Sequence, residues 1–213
     1  VKLFGADEQK ITVIYNGYRN VGAVQPAELG LKKPYFVTVG AVKERKNTLR
    51  IVEAFAKFKT KQKAEHRLMI VGKKGNAYST RVEQNIERHG LRDEVVFFGH
   101  ANDAQLSYLY RNATALVFPS LIESFGFPVL EAMSAGLPVI TSKYGGVAEV
   151  TGEAALLVDP ENVSEIADAL SKIANDPKTR EELICRGYRR AQDFSWQKTA
   201  RQFLDLMSSF VDI

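Results

Sequence analysis

The chain is poor in thiols and has no long apolar run. Its single cysteine, Cys185, cannot close an intrachain disulfide, so nothing points to an oxidising compartment, and a paired-thiol metal site is excluded. Cys185 reads as a packing residue, and cytoplasmic folding is the expectation. Apolar stretches are interrupted by Gly, Pro or Ser before they reach the roughly 18 residues of a membrane-spanning helix, so no transmembrane segment is expected. Charge of one sign is scarce too. The 29 Lys plus Arg against 25 Asp plus Glu leave a net +4, too thinly spread for the continuous basic stripe that nucleic acid demands. His66, His89 and His100 show no ligand spacing, and no metal site is expected. A composition with 45% hydrophobic and 25% charged residues excludes disorder and collagen-like architecture. The 213 residues, without internal repeats, suit a single domain, with 1–10 as a tail or linker. The opening Val-Lys-Leu-Phe has neither an initiator Met nor a signal pattern and reads as a piece of a longer protein.

What is there is an alternation of apolar runs and helical periods. Strands are expected at 35–40, 68–72, 95–99, 115–118, 138–141 and 155–158. Helices are expected at about 47–62, 78–88, 103–112, from near Pro128, from near Val147, and at 162–174. Two further helices, at about 179–191 and 195–211, follow without a strand between them, with Trp196 anchoring the last. Ile11 to Tyr15, ended by Asn16-Gly17, reads as an additional short strand. The fold class is therefore α/β: a Rossmann-like six-stranded parallel sheet with helices on both faces, plus C-terminal helices. In such sheets ligands bind beyond the carboxyl ends of the strands, so the loops after strands hold the candidate site.

Between Asn112 and Ser142 the only charged side chains are Glu123 and Glu131. Glu131 falls in the first turns of a helix among Val129, Leu130, Ala132 and Met133, where an unpaired buried carboxylate costs several kcal/mol, so it needs a partner. One reading is a glutamate that complements the helix dipole. The other is a carboxylate aimed into the cleft to accept two hydroxyl hydrogen bonds, as a ribose diol presents.

The run Glu123-Ser-Phe-Gly-Phe-Pro-Val-Leu-Glu131, with seven residues between its glutamates, resembles the signature of family 4 of the retaining, nucleotide-sugar-dependent glycosyltransferases. Val13-Ile-Tyr-Asn-Gly17, Val39-Gly-Ala-Val-Lys-Glu-Arg-Lys-Asn47, Val117-Phe-Pro-Ser120, Gly145-Gly-Val-Ala-Glu149 and Phe194-Ser-Trp196 match further stations in the same order. The resemblance covers nearly the whole chain. It implies one half of a GT-B fold, the C-terminal donor-binding half, with a missing N-terminal acceptor-binding domain as partner. The substrate implied is a nucleoside-diphosphate sugar, GDP-mannose or a UDP-sugar, with no separate cofactor. The absence of Asp-x-Asp fits the family's independence from a catalytic metal. Peripheral attachment to the inner membrane face is open to the longer protein.

By the same resemblance Glu131 would bind the ribose hydroxyls and Glu123 the hydroxyls of the transferred sugar. Phe125, Gly126 and Phe127 would line the sugar and phosphate. Arg45 and Lys46, after Gly40, would meet the pyrophosphate. Ala41 stands where many members carry Arg, which leaves Arg45 as its substitute or one phosphate contact missing. His100, Ala101 and Asp103 would lie against the base. A non-catalytic nucleotide-binding or interaction module and a sugar-nucleotide epimerase are the alternatives.

Overall fold

The computed structural model describes residues 5 and 7–210. It forms two compact units, one of Arg19–Ala191 and the other joining Val1–Tyr18 to Gln192–Ile213. Of the tail expected at 1–10, residues 1–4 and 6 lie outside the described residues, as does Val211 at the end of the last expected helix.

The larger unit contains all six expected strands: β1 (Tyr35–Val39), β2 (Arg67–Val71), β3 (Val95–Gly99), β4 (Leu116–Phe118), β5 (Val139–Ser142) and β6 (Leu156–Val158). They form one parallel sheet in the order β3-β2-β1-β4-β5-β6. β4 and β5 are buried along their whole length, which is why their sequences lack polar alternation. The helices are α1 (Thr48–Gln62), α2 (Ala77–Arg88), α3 (Asp103–Asn112), α4 (Phe127–Ser134), α5 (Gly145–Thr151), α6 (Val163–Asn175) and α7 (Pro177–Ala191). They cover both faces of the sheet.

Local chemistry sets where helices begin. Asn76 and Asn102 each accept the backbone N–H three residues on, at 2.9 Å, and Ser79 and Gln105 return the bond, so both helices start in capping boxes. Asn162 caps α6 by accepting from the Ser164 and Glu165 N–H groups, without a returned bond. Apolar residues of α1, α2 and α6 then bury one face of the sheet. Phe55, Phe58, Val82, Ile86 and Leu170 pack with Phe36, Leu68, Ile70 and Val117 in a single cluster.

Three expectations fail. No strand forms over Ile11–Tyr15, because the short run rich in β-branched residues there finds no neighbouring strand to complete a ladder, and Ile11 and Val13 remain exposed. Within the smaller unit the Tyr15 carbonyl instead accepts from Thr199 Oγ1 at 2.7 Å, and its ring meets Phe194 edge-on. Trp196 opens α8 (Trp196–Ser208) but points largely to solvent; Ser195 caps the helix, and Phe194 is the buried aromatic. Cys185 is exposed on α7, because Leu183 and Gly187 supply the buried face of that helix. Among the described residues no helix is long and apolar enough to cross a membrane.

Candidate functional site

The strand order reverses between β1 and β4, which run in sequence away from each other on either side of that line. Loops leaving the carboxyl ends there diverge and leave a crevice. A cavity of about 380 Å³ opens at this point, walled by Arg19, Gly40, Ala41, Lys73, His100, Phe127 and Glu131, with Ala101 and Leu106 beside them.

Two loops from distant parts of the chain are pinned together at its edge. After β1 the chain makes a short 3-10 turn at Glu44–Lys46 and then places Asn47 in the left-handed region at φ 60°. Asn47 is 1% exposed, and its amide donates to the Pro119 carbonyl at 3.0 Å and the Pro160 carbonyl at 2.6 Å. The Leu121 N–H reaches the Arg45 carbonyl at 2.9 Å. One amide therefore ties together the loops after β1, β4 and β6.

That framework sets Lys46 against Glu123. The ammonium is paired with the Glu123 carboxylate and lies 4.3 Å above the ring of Phe118. Their side chains are only 14% and 12% exposed, so charge and countercharge are held with little water between them. Arg45 differs from expectation in placement: its backbone carbonyl holds the loop while the residue faces solvent, outside the cavity wall.

Glu131 stands near the start of α4, 7% exposed. Its Oε1 accepts from Arg19 at 3.4 Å and its Oε2 from the Tyr110 hydroxyl at 3.3 Å. Burial raises the carboxyl's pKa above its ordinary value, against the opposing pull of the Arg19 charge and the Tyr110 bond. The buried Tyr110 hydroxyl is itself pushed well up, first by burial and then by the Glu131 charge. Arg19 also bonds Asp103 at 2.5 Å, which brings that residue to the site through an ion pair rather than by direct lining.

The chain before α4 makes close turns. Gly126 has φ 88°, and a Cβ there would meet Val147 Cγ2 at 2.8 Å. A Cβ on Gly146 would fall 1.8 Å from the Ser124 carbonyl oxygen, so the loop after β5 presses its backbone against the loop after β4. Phe125 is buried and packs on Phe127 with ring centroids 5.0 Å apart, while Phe127 itself reaches the cavity.

Of the sequence-predicted residues, the cavity thus gathers Glu131, Gly40, His100, Ala101 and Phe127; Lys46 with Glu123 forms a second cluster; Phe125 and Gly126 shape the loop beneath. Sequence reasoning missed Arg19, Tyr110 and the pinning role of Asn47. Tyr110 lies seven positions after Asp103, two turns along the same helical face, and that spacing was a usable signal. Nothing local marks Arg19, whose contact with Glu131 spans 112 positions.

Sheet order, a crevice at the switch point and helical cover define a Rossmann-like domain of the GT-B kind. The chain belongs to the family described as glycosyl transferases group 1, whose model matches residues 24–190. It is 32% identical over 171 residues to O-antigen chain mannosyltransferase B of Escherichia coli, covering 80% of this chain and 45% of that protein. It is 33% identical over 184 residues to O-antigen chain mannosyltransferase RfbU of Salmonella typhimurium, covering 82% and 50%. Among solved structures, sucrose-phosphate synthase from Thermosynechococcus elongatus superposes with a TM-score of 0.80 at 30% identity, covering 92% of this chain and 52% of that one. The chain spans about half the length of these relatives.

Proposed function

We propose that this chain is the donor-binding domain of a retaining hexosyltransferase, which moves a sugar from a nucleoside diphosphate to an acceptor hydroxyl in the making of a surface polysaccharide or glycoconjugate. The observation that carries the reading is Glu131: a carboxylate almost wholly buried, yet forming part of the wall of the crevice at the sheet's switch point. Burying an acid costs several kcal/mol, and a ribose diol donating to it offsets that cost.

In this reading Lys46 supplies the positive charge that neutralises the departing diphosphate, and Phe118 beneath it keeps that charge poorly hydrated. Glu123 exchanges part of its hold on Lys46 for the hydroxyls of the sugar. The bond from sugar C1 to the diphosphate breaks with its electron pair on the leaving oxygen. The acceptor oxygen bonds C1 on the same face, and its proton passes to the departing phosphate. No separate cofactor enters. Mannose, from GDP-mannose, is the sugar we favour, supported by the two bacterial relatives, both named mannosyltransferases; a UDP-sugar is the second choice. The acceptor is assigned to a second domain, so this chain is expected to bind donor without transferring it.

The test is thermal unfolding with GDP, UDP and ADP, free and as sugar conjugates, on the native chain and on Glu131→Ala. A ligand at a hundred times its Kd adds about 2.7 kcal/mol, or roughly 5–11 °C at this size. One nucleotide should raise the midpoint in the native chain and lose its effect in the variant. An equal rise in both would remove Glu131 from the site.

A further inference from the structure

Glu131 carries its charge in surroundings hostile to it, and the groups facing it are few. Arg19 comes from the segment before the short 3-10 turn at Val21–Ala23; Asp103 and Tyr110 come from α3; Lys73 and His100 line the same cavity from the loops after β2 and β3. Its own helix brings no second charge. Of these groups Arg19 is the cation bonded to the carboxylate, and the same guanidinium holds Asp103, so one side chain clamps two acids that would otherwise repel each other.

We propose that Arg19 is a positioning residue, the counter-ion that keeps Glu131 ionised and Asp103 drawn beside it, and that it thereby sets the pH range over which the cleft accepts a ribose diol. The proposal deepens, and rests on, the reading of Glu131 as the ribose acceptor. An ionised carboxylate offers both oxygens to two hydroxyls, whereas a protonated one has turned one oxygen into a donor.

The direction follows from the contacts. With the folded pKa of Glu131 raised by burial, ionisation, and with it the grip on a diol, is lost as pH falls through that raised value. Arg19 is the foremost of the influences that hold it down. Without Arg19 the value climbs further, and the acid limb of binding moves toward neutrality.

Two readouts test this on the chain itself, with Arg19→Met, Arg19→Lys and Glu131→Gln. The first is ¹³C-carboxyl NMR titration, with the Glu131 signal identified by its loss in Glu131→Gln. The second is the affinity for GDP, UDP and ADP between pH 5 and 8.5, each variant compared with Glu131→Gln so that the ligand's own ionisation cancels. In Arg19→Met the Glu131 midpoint should rise by about one to two pH units. The acid limb of binding should follow it, so that the affinity lost relative to the native chain is larger at pH 5 than at pH 8.5. Arg19→Lys should restore most of both, and a second uncharged variant, Arg19→Gln, carries the test if the Met variant does not fold. In the uncharged variant an unmoved Glu131 midpoint overturns the proposal, as does a loss of affinity equal at every pH. A midpoint that moves as expected in a chain that binds none of GDP, UDP and ADP supports the counter-ion assignment and sinks the ribose reading, so the two failures are told apart.

Discussion

Asn47 shows how much of a binding cleft can hang on one amide. It holds a left-handed backbone conformation that Asn tolerates better than Ala does, and its two donated bonds reach carbonyls 72 and 113 positions away. Asn47→Ala leaves both carbonyls buried and imposes strain, and is expected to cost about 2–4 kcal/mol, read as a lower urea midpoint with an unchanged slope. The same scale shows what a sequence reveals about single residues. That Glu131 needed a partner followed from its apolar neighbours; that the partners are Arg19 and Tyr110 did not, because only the fold brings positions 19, 110 and 131 together. Cys185 misled for a related reason: a thiol packs readily, but the rotation of α7 turns position 185 outward.

Elements were easier to read than residues. Every strand of the sheet is an apolar run closed by Gly, Pro or a polar turn, and three helices start at the asparagine caps that their sequences offer. Ile11–Tyr15 is a similar short run rich in β-branched residues and forms no strand, since a pattern supplies side-chain faces but not a neighbour for the backbone. The loops carry the finer specification. Gly146 allows the loop after β5 to touch the loop that bears Glu123, and Gly146→Ala must push the two apart. Nucleotide affinity by calorimetry should fall on the order of ten- to hundredfold in that variant. Gly90→Ala is the control: φ there is +67°, which strains any side chain, but nothing lies within 4 Å of the added carbon, so affinity should hold.

On the scale of the molecule, the unit Arg19–Ala191 contains the whole sheet and every residue assigned to the cleft, and nearly coincides with the family match at 24–190. A chain cut to this unit is expected to unfold cooperatively and to keep the nucleotide affinity of the longer chain within about threefold, measured by calorimetry on both. Loss of cooperative unfolding would show that the remaining residues are needed for the sheet itself. The bond from Asn47 to the Pro160 carbonyl has a further meaning for a chain made from its N-terminus. Asn47 waits for 113 residues before its last acceptor exists, and Lys46 waits 77 for Glu123. At about 5–20 residues per second, that is on the order of 5–20 seconds of synthesis during which the first strands are present but the cleft is not. On the proposed function, a nascent chain would therefore gain its grip on nucleotide late, only after the end of β6 has cleared the ribosome, which makes binding competence a natural clock for the completion of this domain.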